Sequence, residues 1–249
     1  KINKIIHWYG AKEGLPGRLN SVYLDKTGIL WVGADEGVFR LRAGKFGKIE
    51  PPKGTADISA RRLFPGPGNS IYIANYRTGI YLLENNKLRH FMRTREAYAY
   101  ADNVYAILTD SRGKLWAGTK GGLYIGEKGS LVKFDELGHK IDRPVYFITE
   151  DHKQRLWFGT DNGVIRWDGR DWNIYTIHQG LAGRETNRAA GIVDHRGRVW
   201  IGTDRGLSCY REEFEKGDIP PPVVELLSLE VSGEHMPLQT ANKLKHDWN

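Results

Sequence analysis

The chain has 249 residues, long enough to bury a sizeable core, and its 40% hydrophobic and 27% charged content is ordinary for a globular protein. Its longest apolar stretches, such as residues 189–193, run only a few residues, so nothing here crosses a bilayer as a helix. A net charge of +7 favours anionic partners, but the basic residues are dispersed and form no arm of the kind that grips nucleic acid.

In chain order, Ile5 to Tyr9 reads as a strand, and Gly14, Leu15 and Pro16 lead out of it. The same pairing returns at Trp172 to Ile177, followed by Gly180 and Leu181. Between and beyond lie five copies of one unit. Their centres are Leu30-Trp31-Val32-Gly33, Ile71-Tyr72-Ile73-Ala74, Leu115-Trp116-Ala117-Gly118, Leu156-Trp157-Phe158-Gly159 and Val199-Trp200-Ile201-Gly202, with steps of 41, 44, 41 and 43 residues between the aromatics. A repeat of this length built from short strands marks a β-propeller blade.

The third copy shows the plan. Val104 to Thr109 alternates as a first strand, and Asp110 to Gly113 is a tight turn. Leu115 to Thr119 is the second strand, Lys120 to Gly122 a turn, Leu123 to Ile125 the third strand, and Leu131 to Phe134 a less regular fourth. First turns recur at Asp25, Asp151 and Asp194, and second turns at Asp35, Asp161 and Asp204. The second copy is degenerate: Pro65 to Gly68 replaces the Asp turn, and its ring is Tyr72 rather than Trp. Because side chains alternate along a strand, each ring and the small residue two positions on share a face. The ring of one blade is therefore expected to fill space left open by its neighbour.

The expectation is an all-β chain: a β-propeller of five four-stranded blades over residues 1–216. The fifth copy shows three clear strands, so the N-terminal strand, residues 4–9, could supply its fourth and close the ring. The alternative is that the five blades belong to a seven-bladed propeller. Residues 217–222 form a Pro-rich linker, Val223 to Val231 alternates as a strand, and Ser232 to Glu234 turns. Residues 217–249 are read as that linker and the opening strand of another β domain. The chain begins at a lysine rather than Met and reads as a piece of a longer product, so a missing signal peptide decides nothing. Cys209, the single cysteine, excludes an intrachain disulfide and reads as a buried, inert thiol.

The string Asp-x-x-Gly-x-Leu-Trp-x-Gly-Thr-x-x-Gly-Leu resembles the two-component regulator propeller repeat. Residues 110–123 match it throughout, 194–207 with Val199 for the first Leu, and 151–164 with Gln154 for Gly. Residues 25–38 depart at Ala34. Residues 221–238 resemble the start of the immunoglobulin-like Y_Y_Y domain. The resemblance implies the periplasmic or extracytoplasmic sensor part of a membrane-anchored bacterial receptor, often a hybrid histidine kinase responding to oligosaccharides, and propellers that commonly have seven blades. It also implies a downstream Y_Y_Y domain as partner and allows a homodimer in the full-length receptor. No kinase, phosphoacceptor or transcription motif is present in the chain.

A propeller ligand would be met by the inter-blade loops and the second-to-third strand turns, which converge near the axis. The candidate ligand-binding residues there are Arg18, Asn20, Arg62, Tyr76, Arg77, Tyr98, Tyr100, Asn103, Arg143, Arg184, Asn187 and Arg188. Arg61, Asp102 and Glu185 lie among them, and Asp35, Lys120, Asp161, Asn162, Asp204 and Arg205 occupy the neighbouring turns. Arginine forks bind carboxylate or sulfate, and tyrosine rings cover sugar faces, so an anionic oligosaccharide is one reading. Solvated loops are the competing one. No catalytic residue, metal site or cofactor is expected. The eight histidines are scattered, carboxylates have no glycosidase spacing, and no nucleophile elbow or phosphate loop is present. The function expected is a noncatalytic sensor. The alternatives are an interaction or dimerisation scaffold and, behind it, a propeller lyase or hydrolase.

Overall fold

The computed structural model describes residues 7–54, 58–76, 78–94, 102–136, 138–215, 229–231 and 234–236. It divides into two compact units, residues 1–211 and 212–249. In the first, blade one comprises β1 (Leu19–Leu24), β2 (Leu30–Ala34), β3 (Gly37–Arg42) and β4 (Lys45–Lys48). Blade two comprises β5 (Ala60–Pro65), β6 (Ile71–Asn75), β7 (Ile80–Glu84) and β8 (Lys87–Met92). Blade three comprises β9 (Val104–Thr109), β10 (Leu115–Thr119), β11 (Gly122–Glu127) and β12 (Ser130–Lys133). A two-stranded ribbon, β13 (Asp135–Glu136) and β14 (His139–Lys140), precedes blade four. That blade holds β15 (Val145–Glu150), β16 (Leu156–Thr160), β17 (Gly163–Trp167) and β18 (Trp172–Tyr175). Blade five holds β19 (Thr186–Val193), β20 (Val199–Thr203) and β21 (Gly206–Tyr210).

Every blade is an antiparallel meander in sequence order, four-stranded in blades one to four and three-stranded in blade five among the described residues. The expected closing strand falls mostly outside the described residues, and residues 7–9 of it are not in a strand. The second unit contributes β22 (Leu229–Val231) paired with β23 (Glu234–Met236), where one strand was expected.

Packing is organised by seams. Trp31 and Val38 of blade one meet Ala60, Leu63, Ile71 and Ile73 of blade two. Tyr72, Ile80 and Leu82 meet Val104, Ile107 and Ala117 of blade three. Trp116 and Leu123 meet Val145, Leu156 and Phe158 of blade four, and Trp157 and Val164 meet Val199 and Ile201 of blade five. Each seam encloses several large side chains at about 1.5–3 kcal/mol apiece. The first strands of successive blades lie beside one another, so they form the hub.

In blades one and three the glycine two places after the aromatic admits the backbone of the next blade rather than its ring. A Cβ on Gly33 would come 2.9 Å from the Ala60 carbonyl oxygen, and one on Gly118 would come 2.7 Å from that of Val145. The glycine lets the next blade's first strand pass close.

The Asp turn and the tryptophan prove to be one device. The Trp31 indole N–H donates to Asp25 Oδ2 at 2.8 Å, Trp116 to Asp110 at 2.8 Å, Trp157 to Asp151 at 2.9 Å and Trp200 to Asp194 at 2.9 Å. The other carboxylate oxygen accepts backbone amides two and four residues on, for Asp110 from Arg112 at 3.0 Å and Lys114 at 2.8 Å. One acid thus fixes its turn and satisfies a buried donor six residues away. Blade two lacks the acid, and there a phenol takes the aromatic position, its hydroxyl bonded to the Thr109 side chain. Tyr72→Trp should therefore destabilise by about 1–3 kcal/mol, because the larger ring carries a buried N–H with no carboxylate to meet it. Equilibrium denaturation would check this; a more stable variant would show that the acid is dispensable.

Asp25, Asp151 and Asp194 also set the acid limit. Burial alone would raise the Asp25 pKa, but bonds from Thr27, Trp31 and the amides of Ile29 and Thr27 outweigh it, and the pKa falls from 3.8 to about 2. Asp151 is lowered by a similar balance, and Asp194 chiefly by the Trp200 indole and Arg198. A depressed carboxylate contributes stability above its unfolded pKa and loses it as pH falls through the folded one. Melting temperature, followed by tryptophan fluorescence, should fall steeply between about pH 4 and pH 2. Asp25→Asn should lower it at neutral pH and flatten that slope.

Cys209 is half-buried rather than enclosed, on a strand of blade five that no further sheet covers among the described residues.

Candidate functional site at the hub

Each first strand starts with a register shift. Pairing skips one residue between Leu19 and Ser21, Ala60 and Arg62, Val104 and Ala106, and Val145 and Phe147. The residues left over are Asn20, Arg61, Tyr105 and Tyr146. A bulge of this kind re-aims its extra side chain. In blade five the irregular stretch is longer, from Thr186 to Gly191, and within it Ala189 adopts φ 56°, a left-handed conformation uncommon for a residue with a side chain.

These positions meet one another across the hub. The Arg188 guanidinium lies 4.3 Å from the Tyr105 ring centre, linking blade five to blade three. The Tyr105 and Tyr146 rings lie 5.7 Å apart, tilted by 42°. Tyr146 donates to the Glu185 carboxylate; burial, that bond and the Glu185 charge push its pKa up to about 12, so the phenol stays protonated at neutral pH. On the blade-two side the Arg61 guanidinium lies 4.6 Å from the Tyr76 ring centre. Asn20 donates to Asp35 Oδ1 at 2.8 Å and to the Ala60 carbonyl at 3.2 Å.

The predicted residues separate into groups. Arg188 and Asn20 belong to the hub, as does Tyr76 through Arg61. Asn187 also lies in the blade-five bulge and donates to the Thr203 carbonyl at 3.0 Å. Three arginines are rim residues held by turns. Arg18 pairs with Asp35 at 3.5 Å, Arg143 with Asp161 at 3.5 Å, and Arg184 donates to Asn162 at 2.7 Å. Asn103 is buried in the connection between blades two and three; its backbone carbonyl accepts from the Lys120 amide at 3.0 Å, while its side-chain Oδ1 accepts no hydrogen bond among the described residues. Arg62 is turned into the blades: its guanidinium lies 5.6 Å from the Phe64 ring centre, and Phe64 packs into the seam between blades two and three. Burial lowers its pKa. Alternation along β5 gives the hub Arg61 instead. Arg77, Tyr98 and Tyr100 lie outside the described residues.

Sequence reasoning missed Tyr105 and Tyr146. Each looks like an ordinary strand residue, but both stand one place after the first residue of a first strand, the column that also holds Asn20 and Arg61. Among the described residues no group of three or more His, Cys, Asp or Glu could hold a metal ion.

Two stretches, residues 101–121 and 140–162, match the two component regulator propeller repeat. These two stretches are repeats of the two component regulator propeller type. Among solved structures, the chain superposes on the extracellular domain of the one component system BT4673 from B. thetaiotaomicron, with a TM-score of 0.61 and 22% identity over 79% of this chain and 28% of that one. It also superposes on the extracellular domain of the hybrid two component system BT3049 from the same organism, with a TM-score of 0.55 and 17% identity over 90% of this chain and 39% of that one. Virginiamycin B lyase from Staphylococcus aureus aligns with a TM-score of 0.58 and 16% identity over 78% of this chain and 70% of that one. The chain thus spans well under half of the two extracellular domains it matches. At these identities the likeness is one of fold, shared by sensor domains and by enzymes. No curated protein matches the chain.

Proposed function

We propose that this chain is the noncatalytic input module of an extracytoplasmic bacterial receptor, and that its hub binds a small ligand of the oligosaccharide class, anionic where Arg188 meets it. Arg188 carries the reading. A left-handed bulge swings its guanidinium onto Tyr105, beside a second tyrosine, which sets stacking surfaces and a fork donor in one place. The nearby carboxylates serve as positioning groups: Glu185 accepts from Tyr146, Asp161 pairs with Arg143, and Asp35 is engaged by Asn20 and Arg18. That arrangement supports binding over hydrolysis. The repeat family and the fold shared with receptor ectodomains support the sensor setting. No helix among the described residues is long and apolar enough to cross a membrane. A following Y_Y_Y domain would receive the signal, in a receptor that can pair as a homodimer.

Calorimetry with acidic and neutral oligosaccharides tests this. Arg188→Ala should weaken an acidic ligand about 10- to 100-fold, the range for a lost charge-assisted hydrogen bond. Arg205→Ala, on the exposed rim, should change it less than about twofold. Heat from a protein partner and none from any glycan would instead establish a scaffold.

A further inference from the structure

The arginines of the hub and its rim differ in what they are bonded to. Arg18, Arg143 and Arg184 are held by turn residues: Arg18 by Asp35 at 3.5 Å, Arg143 by Asp161 at 3.5 Å and Arg184 by Asn162 at 2.7 Å. Arg61 and Arg188 are held by rings. The Arg61 guanidinium lies over Tyr76 and the Arg188 guanidinium over Tyr105, at 4.6 Å and 4.3 Å from the ring centres. Neither guanidinium bonds a carboxylate, carbonyl or hydroxyl oxygen among the described residues, and the Arg61 Nε is buried without an acceptor. A ring contact spends none of a guanidinium's N–H donors, so both forks keep their full capacity for an acid group.

Both arginines are placed by the same irregularity. Arg61 is the residue skipped in the pairing of β5, and Arg188 stands in the longer skip of β19, between Thr186 and Gly191. That extra length carries Arg188 past blade four to Tyr105 of blade three, where β19 and β9 approach one another. In blade order the two arginines flank Tyr105 and Tyr146, whose rings lie 5.7 Å apart. The carboxylates nearby are engaged elsewhere. Asp35 lies within range of the Arg61 charge but is bonded by Asn20 at 2.8 Å, Ser59 at 3.3 Å and Arg18 at 3.5 Å. Glu185 accepts from Tyr146, and Asp161 pairs with Arg143. No carboxylate among the described residues closes on either fork.

We propose that the ligand of the hub carries two acidic groups on separate sugar units, one taken by Arg188 and the other by Arg61, with its sugar faces against Tyr105 and Tyr146. The inference rests on the hub being an oligosaccharide site, and it adds the number and placement of the ligand's charges. Each fork sits on its own ring and shares no bonded group with the other, so each adds its own contact. A ligand with one acid group satisfies one fork and leaves the donors of the other to water. Blade order gives the ligand its run, from blade two past blades three and four toward blade five. A lysine at either position would supply the charge without the planar pair of donors that meets a carboxylate or sulfate.

Calorimetry of the 249-residue chain tests the inference with two sets of trisaccharides, one of uronates and one of sulfated sugars. Each set is matched in length and bears two, one or no acidic groups. The unaltered chain should bind the doubly acidic member about 10- to 100-fold more tightly than the singly acidic one, the range for one charge-assisted contact. Arg61→Ala and Arg188→Ala should each shrink that ratio below about threefold, because the variant and the missing acid group remove the same contact. Arg61→Lys should restore the ratio only in part, and Arg205→Ala on the rim should leave it as it is. Arg61→Gln replaces Arg61→Ala should the latter fail to fold. Equal affinity for the singly and doubly acidic members overturns the inference, by showing both arginines on one group. So does an Arg61→Ala chain that discriminates as the unaltered chain does. In either case a loss of affinity on Arg188→Ala leaves the oligosaccharide reading of the hub standing. Heat from no sugar of either set removes that reading and the inference with it.

Discussion

Trp157→Ala should lower the stability of the propeller unit by about 3–5 kcal/mol, the cost of emptying a fully buried indole site. In a unit of this size that corresponds to roughly 6–20 °C in melting temperature. Trp157 is central to the seam between blades four and five. It stacks on Tyr175 at 5.5 Å and meets Tyr210 of blade five at 4.7 Å. The Arg166 guanidinium lies 5.8 Å from its ring centre and donates to the Tyr210 hydroxyl at 2.7 Å. Removing the indole therefore empties the seam and deprives a buried cation of a ring face. The milder Trp→Phe change separates packing from the hydrogen bond. In blade four, Asp151 Oδ2 also accepts from Arg155 at 2.7 Å, so Trp157→Phe leaves that oxygen a partner. In blade three the corresponding residue is Lys114, and among the described residues Asp110 Oδ2 accepts from the Trp116 side chain alone. Trp116→Phe should thus cost more than Trp157→Phe, and urea denaturation of the two variants would rank them. The reverse order would show that the carboxylate's second donor does not matter.

Gly159→Ala should also be damaging, for a steric reason. A Cβ at Gly159 would lie 2.1 Å and 2.2 Å from two ring carbons of Phe147. The ring cannot withdraw, because on its other side a Cβ at Gly191 of blade five would lie 2.2 Å away. Phe147 is clamped between two glycines, one from its own blade and one from the next. Forcing one methyl into that space should cost about 1–3 kcal/mol, and Gly159→Val more. Shrinking the ring should rescue it: Phe147→Leu with Gly159→Ala should be more stable than the sum of the two single losses, a coupling that a double-mutant cycle measures. Gly17→Ala, with open space around its Cβ, should stay within about 0.5 kcal/mol. Strict additivity would show that the two positions do not share the space.

The blade plan was legible because its signals are local. The Asp turns, the aromatic-x-small strands and the second glycine turns all repeat within about 20 residues, and β9, β10 and β12 fall at or within a residue of the bounds read from the alternation. The indole–carboxylate bond was written in the same string, but a capped turn and a packed ring each sufficed alone to explain its two ends. The hub was less legible, because bulges decide it. Whether Arg61 or Arg62 faces the axis depends on one skipped pairing, and side-chain alternation inverts when a residue is skipped. Tyr105 and Tyr146 were hidden by the same effect. Arg188 was named from its loop, but its reach to Tyr105 depends on extra residues in the blade-five bulge.

Each carboxylate and the indole it secures lie six residues apart inside a single repeat. Tandem duplication of such a segment would copy its internal fastening intact, with no compensating change required in an adjacent segment. Gain or loss of a repeat then tests only the fit of neighbouring surfaces. Chains assembled this way can vary ring size and axial chemistry by recombination while the interior of every unit stays fixed.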